Sequence, residues 1–160
     1  MHSRELRTAF GRFPTGVAVV ATRGRDGALA GLTINSLATV ALEPARLLWS
    51  LGARSRNRAV FEAAGFFTVN VLGEDQLWLA QQMSSALEDR FAGVSWRAAA
   101  LSGLPLLEGC VATFDCRCSS VAEIGDHVVF VGDVEGFEEP GGAPLLYVAG
   151  RYSRLEAAGA

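Results

Sequence analysis

Three short stretches carry side chains that could recognise or transform a ligand. In Thr33-Ile34-Asn35-Ser36, three hydrogen-bonding side chains interrupt an otherwise apolar, β-rich run. Such a cluster either bends the chain between two strands, where Asn and Ser are common, or forms a rim that meets the polar edge of a flat ligand. In Arg54-Ser55-Arg56-Asn57, two guanidinium groups and a hydroxyl precede a predicted helix. A helix start offers free N–H groups and a partial positive charge, and arginine adds charge-assisted donors, so the segment suits a phosphate. It reads equally as a solvated loop with a Ser or Asn cap. In Gly125-Asp126-His127, a tight turn leads into a strand that begins with histidine. A neutral imidazole there donates to an amide and a protonated one attracts a phosphate, while a purely structural histidine also fits.

Other chemistries lack their residues. No G-x-G-x-x-G follows a first strand, so a Rossmann dinucleotide site is excluded, and there is neither a Walker loop nor a G-x-S-x-G turn. His2 and His127 are the only histidines, so a His-rich metal centre cannot be assembled. Cys116 and Cys118 stand two apart on a predicted strand and face one side of it, a weak basis for zinc and too local for a useful disulfide. No metal is expected, and no His or Asn is placed to activate a Cys nucleophile. The net charge of −3 gives no footprint for nucleic acid. All fourteen cations are arginine, the residue best suited to bidentate recognition of phosphate. Met1 to Arg12 has no apolar leader core, and the longest apolar runs, such as Val128–Val131, are too short to cross a bilayer. The expectation is a cytoplasmic protein with reduced thiols, away from membranes.

The elements that must position these residues follow from pattern. With 160 residues, half of them apolar, residues 1–160 are expected to form one domain around one core. Ser3 caps a short predicted helix to about Arg12, ended by Pro14 and Gly16. Strands are predicted over Val17–Thr22, Leu29–Ile34, Leu37–Leu42 and Leu47–Leu51, the first two joined by Arg25-Asp26-Gly27. A helix is expected over Asn57–Ala64 and a doubly buried strand over Phe66–Leu72. A third helix is placed at Glu74–Met83, with Leu77, Ala80 and Gln81 on one face. After a Gly- and Pro-punctuated stretch come two long strands, about Cys110–Ala122 and Val128–Phe137, turned by Ile124-Gly125-Asp126. Leu145–Val148 and Arg151–Leu155 close the chain. Eight or nine strands against two or three helices, with connections too short for parallel crossovers, make a mainly β, antiparallel sheet. Closing it into a barrel would remove its edges.

Taken in order, these segments resemble the flavin reductase family that serves two-component flavin-dependent monooxygenases. The matching stretches are Phe13-Pro14-Thr15-Gly16-Val17-Ala18-Val19-Val20, Gly31-Leu32-Thr33-Ile34-Asn35-Ser36, Phe67-Thr68-Val69-Asn70-Val71-Leu72, Asp89-Arg90-Phe91, Gly125-Asp126-His127 with Gly132, and Leu146-Tyr147 with Gly150-Arg151-Tyr152. The resemblance implies an antiparallel split β-barrel of the FMN-binding type with two to three short helices, usually a homodimer with flavin near the subunit interface. It implies reduction of FMN or FAD by NADH or NADPH, with the reduced flavin passed to a partner monooxygenase. Thr33, Asn35 and Ser36 would edge the flavin ring, with Ser50 and Leu51 beside them. Ser55, Arg56 and Asn57 would hold the flavin phosphate. Phe13, Thr15, His127 and Tyr152 would meet the nicotinamide nucleotide, and no acid–base dyad is required. Relatives commonly carry small polar residues where this chain has Arg54, Arg56 and Arg58, which leaves FMN against FAD open. The rival readings are a flavin-binding module and a split-barrel oxidase with tightly bound FMN.

Overall fold

The computed structural model of the chain describes residues 3–156. Helix α1 spans Ser3–Phe10, α2 Arg58–Ala63 and α3 Leu77–Ser84. The strands of the main sheet are β2 (Ala18–Arg23), β3 (Leu29–Ile34), β4 (Ala38–Leu42), β5 (Ala45–Gly52), β6 (Phe66–Val71), β9 (Ala112–Ile124) and β10 (His127–Glu138). They run in the order β3-β2-β6-β9-β10-β5-β4, every neighbour antiparallel. A small sheet joins β1 (Thr15–Gly16) to the hairpin of β11 (Leu146–Val148) and β12 (Arg151–Ser153), and β7 (Trp96–Ala98) pairs with β8 (Pro105–Leu107). Among the described residues, no helix is long and apolar enough to cross a membrane.

The centre of the main sheet, at β2 and β6, is buried on both faces, which explains the near-continuous apolar character of these strands, while β4 and the far end of β9 are exposed. Along β2, Ala18 and Val20 join one cluster, while Val19 and Ala21 join another with Val17, which precedes the strand. The first cluster is aromatic: Trp49 stacks on Phe130 at 4.5 Å and meets Phe61 and Phe67 edge-on. Offset and edge-on contacts of this kind add about 0.5–1.5 kcal/mol each beyond area burial. The second cluster is capped by Leu79, Ala80 and Met83 of α3 and by Tyr147 and Tyr152 of the small sheet. Two buried polar residues of β6 are fully used. Thr68 donates to the Pro105 carbonyl at 2.7 Å, and Asn70 Oδ1 accepts from the Leu107 amide at 2.8 Å, which stitches β8 onto β6.

The barrel is split rather than closed. Its end strands, β3 and β4, are consecutive in the chain and separated only by Asn35–Leu37, yet they do not pair with one another. The sheet therefore curls until its two ends share one corner.

Several boundaries differ from expectation. Helix α1 stops at Phe10, because Thr15 and Gly16 are drawn into register with Tyr147 and Leu146. The cap predicted at Ser3 rests on a side chain outside the described residues, as does His2. Helix α3 starts only at Leu77, since buried Gln76 is spent holding the Gly73 amide and the Glu108 carbonyl. Its buried face is Leu79, Ala80 and Met83, not Leu77, Ala80 and Gln81. Strands β7 and β8 are three residues each, too short for a periodicity to show.

Gly132 of β10 is fixed by packing, since a Cβ there would stand 2.5 Å from Phe67 Cζ and 3.0 Å from Cys116 Cβ. Gly132→Ala is expected to cost about 1–3 kcal/mol in urea denaturation, as overpacked cores do. Burial also pushes the thiols of Cys110 and Cys116 up to about 12 from 9.0. Above pH 9.0 the unfolded thiols ionise while the folded ones keep their protons, so stability falls as pH rises toward about 12. Each thiol contributes a slope of about 1.4 kcal/mol per pH unit, and Cys110→Ala with Cys116→Ala should flatten the decline in a denaturation series.

Candidate functional site

The corner where the sheet is split concentrates most of the predicted residues. The β4–β5 register sets Ala38 opposite Leu48 and Thr39 opposite Leu47, so Ser36 falls opposite Ser50 two residues further on. No backbone ladder continues there. Instead the Ser36 hydroxyl accepts from the Ser50 amide and donates to the Ser50 carbonyl, both at 3.0 Å. One side chain supplies both bonds that a strand residue's main chain would make. The main chain of Asn35 and Ser36 thus belongs to neither ladder, and Asn35 is exposed.

Beside this seam lies a cavity of about 180 Å³, lined by Thr33, Asn35, Ser84, Tyr147 and Tyr152 over a floor of Val17 and Ile34. Thr33 donates its hydroxyl proton to the Ala80 carbonyl at 2.7 Å, so only its lone pairs remain for a ligand. Ser84 donates to the same carbonyl at 2.9 Å. The rings of Tyr147 and Tyr152 meet edge-on at 5.3 Å. Burial raises the pKa of Tyr152 above the usual phenol value, which keeps it a neutral hydrogen-bonding group at physiological pH. Thr15 stands opposite Tyr147 in the small sheet and bonds its carbonyl at 3.5 Å, while Phe13, 76% exposed, lies in the turn leading to it.

His127 is placed apart from that cavity, on the far side of Ser50. It pairs with Gly52 of β5, and Ser50 pairs with Val129. Its Nδ1–H donates to Asp126 Oδ1 at 2.8 Å, which fixes the tautomer. That bond holds the Asp126 carboxyl below its usual range, with smaller help from Arg54. The Ala53 amide bonds the Asp126 carbonyl at 2.8 Å, tying the hairpin tip to the loop after β5. Leu51 departs from expectation: its side chain is 4% exposed and packs into the aromatic core, leaving only its main chain near the seam.

The loop Arg54–Asn57 also revises an expectation. Helix α2 has only six residues, and Asn57 makes no side-chain cap. A helix this short carries little dipole, so any attraction for an anion must come from side chains. Ser55 Oγ accepts from the Asn57 amide at 3.2 Å, and Arg56 donates to the Leu87 carbonyl at 3.2 Å. Arg58 is neutralised by Glu62 at 2.8 Å and Glu123 at 2.6 Å. Ser84, Tyr147 and Val17 were not among the predicted site residues. Val17 and Tyr147 stand in the stretches that carry the family resemblance but were given no role, and only the docking of α3 and of the C-terminal hairpin brings Ser84 and Tyr147 to the seam.

Residues 10–156 match the profile of the flavin reductase like domain. The chain belongs to the flavin reductase-like family. It is 42% identical over 149 residues to the reductase component of flavin-dependent trigonelline monooxygenase from Acinetobacter baylyi, covering 93% of this chain and 48% of that protein. It is 38% identical over 154 residues to HsaB, the reductase subunit of a flavin-dependent monooxygenase from Rhodococcus jostii, covering 96% and 78%. The NADH:FAD oxidoreductase SgcE6 of Streptomyces globisporus, solved with NAD and FAD fragments, superposes with a TM-score of 0.92 at 33% identity, covering 98% and 94%. The chain spans about half the length of the first two curated relatives it matches, 48% and 50%. Other flavin reductase-like structures agree in fold, including the styrene monooxygenase flavin reductase of Pseudomonas putida at a TM-score of 0.84 and 30% identity, covering 96% of this chain and 98% of that one.

Ser36→Ala removes both seam bonds while leaving a side chain of similar volume. The expected outcome is a loss of about 1–3 kcal/mol in chemical denaturation, read at unchanged m-value.

Proposed function

We propose that this chain is an NAD(P)H-dependent flavin reductase that transfers a hydride from NADH or NADPH to FMN or FAD and supplies the reduced flavin to a flavin-dependent monooxygenase. The observation that carries it is the cavity at the split of the barrel. It brings Thr33 and Asn35 of the flavin-edge set together with Tyr152 of the nicotinamide set. The names of the relatives support the same reading: one is a monooxygenase reductase subunit, another an FMN reductase (NADH), a third an NADH:FAD oxidoreductase.

The residues present fit a flavin. The edge at Asn35 and Ser36 has main-chain groups outside any ladder, and Thr33 offers lone pairs only, which suits the alternating donors and acceptors of a flavin rim. Ser50 presents its main chain next to Ser36, and Leu51 contributes through its backbone alone. Ser55, Arg56 and Asn57 hold the flavin phosphate, with charge from the guanidinium rather than from α2. When bound, the flavin supplies acceptance of a hydride from reduced nicotinamide and its later donation as reduced flavin. Around it, Tyr152 keeps a neutral phenol beside the open ring face, with Phe13 and Thr15 at the same margin. His127, oriented by Asp126, meets the nicotinamide nucleotide through Nε2. None of these steps needs a general base.

At about 180 Å³ the cavity is well below the ~300–1,000 Å³ usual for ligand sites. A second copy of the chain completes it in this reading, which makes the working unit a homodimer. Residues 1–160 act as one split-barrel domain in the cytoplasm, and three free cysteines suit a reducing compartment.

The assay is nicotinamide absorbance with NADH or NADPH and added FMN, FAD or riboflavin. Oxidation that depends on added flavin is expected; yellow protein that never consumes NAD(P)H sinks the proposal. Asn35→Ala should weaken flavin binding about 5- to 10-fold, the worth of one or two lost hydrogen bonds. His127→Ala should raise KM for NAD(P)H by about tenfold with flavin affinity unchanged, and unaltered nicotinamide kinetics would remove His127 from the site.

A further inference from the structure

A cavity of about 250 Å³ lies between strands β9 and β10 and the turn that joins β7 to β8, and it shares no residue with the cavity at the seam. The cross-strand register places it. Thr33 stands opposite Val19, Val19 opposite Asn70 and Asn70 opposite Thr113. Thr113 is thus three strands from Thr33, about 14 Å across the sheet at the usual strand spacing.

Two side chains of the lining are buried and lack partners. Thr113 and Asp115 stand two apart on β9 and so face the same side, and each is 5% exposed. Thr113 Oγ1 and Asp115 Oδ1 make no hydrogen bond. The other carboxylate oxygen is engaged: Asp115 Oδ2 accepts from the main-chain amides of Leu101 and Ser102, each at 3.2 Å, which fixes the group to the β7–β8 turn. Gly136 pairs with Asp115 across the strands and leaves the space beside it open. Beyond its chain neighbours, a Cβ there would meet nothing closer than Asp115 Cβ at 3.9 Å.

The charges around the cavity show what is missing. Asp115, Glu135 and Glu138 all line it. Arg97 pairs with Glu138, and Arg117 pairs with Glu135. Among the described residues, Asp115 has no cation within 4.0 Å. A buried acceptor without a donor is destabilising, more so when it carries charge. The occupant that relieves it must bring N–H donors and positive charge. Leu101, Leu106 and Phe137 supply apolar walls for the rest of that occupant. A metal ion does not suit the donor set: among the described residues, no group of three or more His, Cys, Asp or Glu side chains could hold one. At about 250 Å³ the cavity is just under the ~300 Å³ at which ligand pockets usually begin, so it takes one small ring or short chain.

We propose that this cavity is a binding site for a small organic cation, a protonated amine. Its N–H groups reach Asp115 Oδ1 and Thr113 Oγ1 while its apolar body lies against Leu101, Leu106 and Phe137. The site is separate from the flavin reductase reading and does not depend on it.

Benzylammonium is the probe and benzyl alcohol its neutral counterpart. The main-chain amide signals of Leu101 and Ser102, followed by heteronuclear NMR of the full chain, are the reporters. Benzylammonium should shift both signals saturably, and benzyl alcohol should bind at least about tenfold more weakly. Asp115→Asn keeps an oxygen for the two amides but loses the charge, and should weaken benzylammonium about 10- to 100-fold. Thr113→Val should cost about 2- to 10-fold, and Gly136→Val should fill the cavity and abolish the response. Should Asp115→Asn fail to fold, those two variants carry the comparison. Excess FMN or NADH should leave the shifts in place; displacement by either would assign the cavity to the flavin site and overturn the proposal. Equal affinity for the alcohol, or undiminished affinity in Asp115→Asn, overturns it as well. So does the absence of any saturable shift in the unsubstituted chain, which would leave water as the only occupant.

Discussion

The sheet begins and ends with consecutive strands that do not pair, and the rest of the molecule is arranged around the gap between them. The chain crosses from β3 to β4 in three residues, Asn35 to Leu37, and no ladder spans the corner. Unpaired main-chain groups are costly when buried and useful when they face a polar ligand. Ser36 settles half of the difficulty by bonding Ser50 through its side chain, which closes the corner mechanically. The other half, the main-chain groups of Asn35 and Ser36, is left to meet something else. In the reductase reading, a ligand rim at this corner would follow from topology, and Thr, Asn and Ser suit it.

Rigidity comes from behind the seam. Trp49 stacks on Phe130 within a cluster of rings that also packs Leu51, so β5 and β10 hold Ser50, Gly52 and His127 on a stiff support. On the other face, α3 reaches the site twice, through the Ala80 carbonyl that takes the Thr33 and Ser84 hydroxyls and through the loop that seats Phe91 on Gly31. The small sheet adds Tyr147 and Tyr152 and ties residues near the N-terminus to the C-terminal hairpin. Elements distant in sequence thus each deliver one or two groups to the corner. No single segment resembles a complete site.

That dispersal decides what could be read from sequence. Strands such as Leu29–Ile34 were legible because β-branched and apolar runs end at turn residues, and Thr33, Asn35 and Ser36 were legible as polar residues in an apolar run, whereas the bonds from Ser36 to Ser50 were not. The short helix at Asn57–Ala64 was legible too, and only its ends differ by one residue each, because Asn57 makes no side-chain cap and Ala64 is already extended. Which way the Leu51 side chain faces was not legible, since alternation within a strand decides which of two neighbours points inward, and the register is fixed by β10 rather than by Leu51 itself. Ser84, Tyr147 and the contact between Gly31 and Phe91 depend on how α3 and its following loop dock, for which local pattern carries no signal.

In the reductase reading proposed above, flavin must leave after reduction, and different parts of the site would bear on that differently. Cations that meet a flavin phosphate would hold the oxidised and reduced forms equally, because the phosphate does not change when the ring accepts a hydride. Such uniform binding sets how firmly flavin is held without favouring either redox state. Discrimination then falls to the ring edge, where Thr33 offers only lone pairs and the Asn35–Ser36 main chain offers both kinds of group. A reduced ring carries different protons and charge at that edge, so the edge alone can shift affinity between the two states. In that reading the seam, more than the charged loop, governs whether reduced flavin stays or departs toward a partner.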